Sequence, residues 1–110
     1  MTDETCEVVI TAPDPEWLAA FTRTLVDRRL VASGHNIAPI RSIYRWQGQV
    51  YDRTEARVSL QTRRTLVPTI IRLTRDEHPY EVPCVMAKPI IDGNPTYLRW
   101  IIDETTPEAA

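Results

Sequence analysis

Hydrophobic residues recur along the chain at two spacings, which separate predicted strands from predicted helices. Residues 5–11 are short, apolar and rich in β-branched side chains, which predicts a first strand buried on both faces. Helical spacing follows over residues 17–26, and Asp14 as N-cap with Pro15 at the first helical position marks the start of a helix. We expect this helix to end near Arg29.

A long hairpin is predicted for the middle of the chain. Residues 37–46 are rich in β-branched and aromatic side chains, and residues 47–49 form a turn signal around Gly48. The return strand, residues 50–62, alternates in polarity, so its two faces differ. One face carries Ala56, Val58 and Leu60, and the outward face carries Glu55, Arg57, Ser59 and Gln61.

Three further elements complete the pattern. Residues 66–76 predict a second amphipathic helix with Pro68 in its first turn, and the prolines of residues 78–83 force the chain out of that helix. Residues 84–88 predict a fourth strand. Asn94 as N-cap and Pro95 begin a short helix that we expect to end before a frayed tail at residues 105–110.

The element order β-α-β-β-α-β with an extra C-terminal helix predicts an α+β, ferredoxin-like split βαβ sandwich. The chain is expected to form one domain over residues 1–110, with its core at about 5–104. Both long helices should cover one face of a four-stranded antiparallel sheet and leave the other face open. Because several aromatic residues fall outside those two helices, we expect an oligomer. These are Tyr44, Trp46, Tyr51, Tyr97 and Trp100.

The placement of the prolines gives a separate prediction about topology. The chain has nine prolines and three glycines, and three of the prolines, Pro39, Pro83 and Pro89, fall in or beside the second and fourth predicted strands. Proline cannot donate to a sheet ladder, so it is largely confined to edge strands. Strands two and four should therefore be the edges.

Composition and charge exclude several classes of function. A net charge of −2 and an outward third-strand face without aromatic rings disfavour nucleic-acid binding. The sequence has neither an apolar run of about 20 residues nor a signal-peptide pattern at its start, so we expect a cytoplasmic protein without a membrane partner. Cys6 and Cys84 match neither a disulfide framework nor a zinc spacing.

The densest group of titratable side chains follows the second predicted helix. His78 with a neighbouring carboxylate could hold a transition-metal ion, because imidazole and carboxylate together suit such ions. The alternative is a polar helix end, with His78 placed favourably on the helix dipole. Cys84 could also be a nucleophile with His78 as its base, which requires the two side chains to touch.

Four blocks of sequence, in order, resemble the CutA divalent-cation tolerance family. They are VITAPD at 9–14, SIYRWQG at 42–48, HPYEVP at 78–83 and GNPTYLRW at 93–100, and the resemblance covers about residues 6–104. It implies a ferredoxin-like protomer in a homotrimer related in architecture to PII signalling proteins. It also implies a cytoplasmic role in copper and divalent-metal tolerance without an established enzymatic reaction.

The resemblance also implies a set of ligand positions. Copper coordination in some members resembles a Cys-His-His set, of which this chain has His78, with Glu77 at the neighbouring histidine's place and Ile10 at the cysteine's. Gln61 stands where members usually carry lysine, and Cys84 where they commonly carry glutamate. His78 and Glu77 are therefore the predicted metal ligands, with copper or another divalent cation as the candidate cofactor.

Together these patterns predict a CutA-like homotrimer of the metal-response class, with no catalytic residue and no enzymatic reaction assigned. Association of subunits should create clefts that meet a metal ion or small molecule. The candidate cleft residues are Tyr44, Trp46, Gln61, His78, Tyr80, Glu81 and Cys84. Two alternatives stay open: a PII-like signalling module that binds a small anion or nucleotide, and a protein-interaction scaffold.

Overall fold

The order of helices and strands follows the ferredoxin-like pattern. The structure is a computed structural model that describes residues 5–106. Its elements are β1 (Thr5–Ala12), α1 (Pro15–Asp27), β2 (Ser33–Trp46), β3 (Gln49–Arg63), α2 (Val67–Glu77), β4 (Val85–Pro89) and α3 (Pro95–Glu104), with a 3₁₀ turn (Arg64–Leu66) before α2. The predicted α+β class and element order are confirmed.

The sheet has the strand order β2-β3-β1-β4, and every neighbouring pair is antiparallel. β2 and β4 are thus the edge strands, as the prolines predicted. Pro39 lies at a register shift between Ile37 and Ile40 of β2, where a missing N–H interrupts the ladder least.

β2 begins four residues earlier than the sequence pattern predicted. Ser33, Gly34, His35 and Asn36 have little β propensity, yet they pair in register with β3. At Gly34 the backbone approaches Thr22 and Leu60 so closely that a Cβ atom would collide with the Thr22 side chain. Long-range packing therefore determines this part of the strand.

The main core lies between the sheet and the helices α1 and α2. Alternate side chains of the central strands β1 and β3 point to this face and meet apolar residues at helical spacing in the two helices. Its fully buried members include Val8, Ile10, Leu18, Leu25, Leu60 and Ile70. At the start of α1, the Asp14 carboxylate accepts a hydrogen bond from the Glu16 amide at 2.9 Å, as predicted for an N-cap.

The third helix covers part of the sheet face that was expected to be open. Arg63 points to the face opposite its neighbour Thr62, and its guanidinium donates to Thr105 Oγ1 at 2.9 Å and to the Ile102 carbonyl. Thr105 is only 1% exposed, and the Thr106 amide donates to the Arg29 carbonyl at 2.8 Å. Residues 105 and 106 are thus held to the domain rather than frayed, and 107–110 lie outside the described residues.

The hairpin extends beyond the rest of the sheet. The pairing of β1 with β3 ends at Ala12 opposite Ala56, so residues 40–55, which we call the hairpin arm, pair only with each other. Ile43 and Val50 on the arm are 64% and 61% exposed. A two-stranded ribbon is marginally stable by itself, so this arm needs support from another surface.

No helix within residues 5–106 combines the length and the apolar character that crossing a membrane requires.

Candidate functional site

A cavity of about 460 Å³, which we call the arm pocket, lies where the hairpin arm meets the segment that follows α2. Five of the seven predicted cleft residues line it. The lining residues are Thr11, Ser42, Tyr44, Trp46, Glu55, Tyr80, Glu81, Val82 and Cys84. Gln61 and His78, also predicted for the cleft, are not among them.

Strand periodicity accounts for one wall of the pocket. Ser42, Tyr44 and Trp46 are spaced two residues apart in β2, so their side chains share a face. The opposite wall is formed by residues 80–84, which prolines at 79 and 83 keep out of helical conformation. The sequence predicted each wall, but only the tertiary structure brings the two together.

The floor of the pocket contains a largely buried acidic residue, Glu55, that the alternation of β3 predicts to face outward. Glu55 is only 5% exposed, and its Oε2 accepts a hydrogen bond from the phenol of Tyr80 at 2.8 Å. The alternation of β3 predicts the correct sheet face for Glu55. It does not predict that the segment after α2 covers Glu55 on that face. No local sequence signal distinguishes Glu55 from the exposed polar residues of the arm.

The contact with Glu55 also changes the acidity of Tyr80. Burial raises the pKa of the Tyr80 phenol to about 12, and the hydrogen bond and negative charge of Glu55 contribute in the same direction. Tyr80 therefore remains a hydrogen-bond donor at any physiological pH.

His78 has a positioning role beside the pocket. Its Nε2 lies 2.7 Å from the Thr11 carbonyl oxygen, which can only accept, so Nε2 carries the proton. Its Nδ1 accepts a hydrogen bond from the Tyr80 amide at 3.0 Å, and the ring packs edge-on against Trp17. Both nitrogens are thus occupied, and the metal-ligand role predicted for His78 finds no free lone pair in this conformation.

The second predicted metal ligand lies elsewhere. Glu77 is exposed and lines a separate groove between α1 and α2, together with Trp17 and Leu73. Within residues 5–106, the histidine, cysteine and carboxylate side chains form no group of three or more that could hold a metal ion. The predicted His78–Glu77 pair therefore has no third side-chain ligand in the described part of the chain.

Gln61 belongs to a polar network on the second sheet face, which is the face opposite α1 and α2. Its Oε1 accepts a hydrogen bond from Ser33, and its Nε2 donates to Ser59 Oγ at 3.1 Å. Ser59 in turn donates to Glu7, whose carboxylate also lies 3.7 Å from Lys88 Nζ. These contacts bury Gln61, predicted as an outward cleft residue, within the protomer.

The same network affects the acidity of Glu7. The hydrogen bond from Ser59 is the largest cause that holds the pKa of this carboxyl below its ordinary value, and burial opposes it. The positive charges of Lys88 and Arg57 lower the pKa further.

The thiol of Cys84 lies in the pocket wall without the base that a nucleophile requires. The side chain is partly buried, and the thiol is free. Because His78 uses both ring nitrogens on Thr11 and Tyr80, the thiol–histidine pair considered in the sequence analysis is not formed.

Comparison with known proteins gives consistent results at the levels of sequence and structure. The family model described as CutA1 divalent ion tolerance protein matches residues 6–104. The divalent-cation tolerance protein CutA of Thermus thermophilus is 36% identical over 98 residues, which cover 89% of this chain and 95% of that protein. Mouse protein CutA is 37% identical over 92 residues, which cover 84% of this chain and 52% of the mouse protein. The chain thus spans about half the length of the mouse relative.

Solved structures extend the likeness to the fold. CutA1 from Oryza sativa superimposes with a TM-score of 0.92 at 29% identity, covering 97% of this chain and 98% of that one. The Thermus thermophilus protein gives a TM-score of 0.89 at 34% identity, covering 93% and 99%. Among other relatives, an Arabidopsis thaliana CutA is named as chloroplastic and an Archaeoglobus fulgidus CutA as periplasmic.

Proposed function

Since this chain belongs to the CutA1 divalent ion tolerance protein family, we propose that it acts in the tolerance of divalent metal ions, copper first among them. The family match over residues 6–104 carries the proposal, because it spans almost the whole domain and is accompanied by the same fold. The name of the Thermus thermophilus relative refers to the same role.

The proposal includes no enzymatic reaction. Two observations support the absence of a reaction. Both ring nitrogens of His78 are hydrogen-bonded to the backbone, and burial and Glu55 keep the Tyr80 phenol protonated by raising its pKa. His78 and Tyr80 are therefore committed to positioning, which suits a binding protein better than a catalyst.

We further propose that the working form is a cytoplasmic homotrimer. The hairpin arm exposes Ile43 and Val50, and α3 exposes Tyr97 and Trp100. Exposed apolar surface of this kind marks interfaces. A second copy of the same chain is the simplest cover, because closed cyclic symmetry lets each arm meet the same surface on its neighbour.

A PII-like module that binds a small anion or nucleotide is the second candidate, and the arm pocket supports it less well. Glu55 and Glu81 are the charged residues of the lining, and both are acidic. An anion in this cavity would face like charge, which raises the cost of binding.

Deleting the gene from its host and restoring it on a plasmid tests the proposed function. Growth is measured across a range of Cu(II) and other divalent metal concentrations, with potassium chloride of matched ionic strength as the control stress. We expect the deletion to lower the tolerated Cu(II) concentration and the plasmid to restore it. Equal growth of deletion and parent strains in every divalent metal would overturn the proposal.

A further inference from the structure

We propose that the arm pocket binds a small organic cation of the alkylammonium type, a function separate from the metal tolerance proposed above. Three aromatic residues, Tyr44, Trp46 and Tyr80, line the cavity together with the carboxylates of Glu55 and Glu81. Rings and a carboxylate around one cavity are the combination that attracts a positively charged nitrogen with an apolar body.

The strongest support is the state of Glu55. Glu55 is 5% exposed as a whole residue, and among residues 5–106 its one hydrogen-bond donor is the Tyr80 phenol, on Oε2. No lysine, arginine or histidine of the described chain forms an ion pair with it at salt-bridge distance. A buried carboxylate without a counter-ion is costly, and a bound cation would supply the missing charge.

Arg53 is the basic residue whose charge affects a side chain of the pocket. Arg53 lies two residues before Glu55 and influences the phenol of Tyr80 electrostatically. Its guanidinium, however, sits over the ring of Tyr51 at 4.9 Å from the ring centroid, and Arg53 is not among the residues that line the pocket. No basic side chain of residues 5–106 therefore lines the pocket beside Glu55 and Glu81.

The lining distinguishes an organic cation from other ligand classes. A metal ion needs several donor atoms in one place, and the described residues contain no such group. An anion would meet two carboxylates and no basic side chain in the lining. A neutral apolar molecule could contact the rings, but it would leave the negative charge of Glu55 without a counter-ion. A volume of about 460 Å³ suits a small molecule.

The test is a calorimetric titration of the assembled protein with choline and with its uncharged isostere, in which carbon replaces the quaternary nitrogen. We expect choline to bind at least about tenfold more tightly than the isostere. Equal affinities, or no choline binding at about 10 mM, would overturn the proposal. Because this test measures binding and not growth, its failure leaves the metal-tolerance proposal intact.

Variants locate the binding within the pocket. Glu55→Gln should weaken choline binding about tenfold and leave the isostere unchanged, because the amide keeps the shape but loses the charge. Trp46→Leu provides a second variant if Glu55→Gln fails to fold, and it should also weaken choline binding. The matched control is Glu77→Gln, which removes an exposed carboxylate outside the pocket. Choline affinity unchanged in both pocket variants overturns the assignment.

Discussion

The phenol of Tyr80 donates a hydrogen bond of 2.8 Å to the carboxylate of Glu55, and this contact joins the segment after α2 to the middle of β3. The two residues are 25 positions apart in sequence. The bond supplies a donor to Oε2 of the largely buried Glu55 at the floor of the arm pocket.

Removing the hydroxyl in Tyr80→Phe should lower the free energy of unfolding by about 1–3 kcal/mol, because it leaves the buried Glu55 carboxylate without its donor. Denaturant unfolding at one fixed protein concentration measures the change. Thr24→Val is the control, since it removes an exposed hydroxyl on α1, outside the proposed interface. If the two variants lose the same amount, the bond to Glu55 does not stabilise the fold.

The raised pKa of Tyr80 connects stability to alkaline pH. An unfolded tyrosine ionises near pH ~10, whereas Tyr80 in the folded chain ionises near 12. The unfolded state therefore releases its proton first, and the stabilisation from Tyr80 is lost as pH rises across that interval. The tyrosinate absorbance of wild type minus Tyr80→Phe should titrate near pH 12. A difference curve centred near pH ~10 contradicts this.

The lowered pKa of Glu7 makes stability depend on pH in the opposite direction, with the loss at acidic pH. Its stabilisation is present above the unfolded pKa of about 4.3 and is lost as pH falls through the lower folded value. Ser59→Ala removes the largest cause of the shift, so the stability gap between wild type and variant should be widest above pH ~5 and narrow in acid. Urea unfolding over this pH range tests the prediction, and Thr24→Ala, at an exposed position on α1, is the control. If the difference in unfolding free energy between wild type and Ser59→Ala stays constant with pH, the Ser59 bond does not lower the pKa of Glu7.

His78→Gln separates positioning from metal ligation. The glutamine amide can still donate to the Thr11 carbonyl, but it lacks the imidazole lone pair that a metal requires. We expect the Cu(II) binding isotherm of the variant to match that of wild type, while His78→Ala, which loses both backbone contacts, unfolds at lower denaturant. A Cu(II) affinity reduced about tenfold or more in His78→Gln would restore His78 as a ligand.

The elements themselves were predictable because local signals agreed with one another. Asp14 and Asn94 cap helices where the sequence placed them, and Pro39 lies in an edge strand as its missing N–H requires. Binary patterning also assigned the two faces of β3 correctly, since Val58 and Leu60 lie in the core.

Burial on the second face was not predictable, because it depends on segments distant in sequence. Glu55 and Gln61 alternate with core residues as exposed polar side chains do, yet Tyr80 covers the first and Ser33 bonds the second. Thr105 follows the last predicted helix, where a frayed tail was expected, yet its hydroxyl accepts a hydrogen bond from Arg63. Buried polar side chains are stabilised by individual hydrogen bonds, and such bonds leave no periodic signal in the sequence.

In the homotrimer proposed above, neighbouring copies of the chain cover the hairpin arm. Light scattering coupled to size exclusion, at micromolar protein, measures the mass of the assembly directly. We predict about 38 kDa, three times the 12.6 kDa of one chain. Ile43→Asp on the arm should reduce that mass, whereas Arg23→Asp on the exposed side of α1 should not. A wild-type mass of 12.6 kDa would contradict the account.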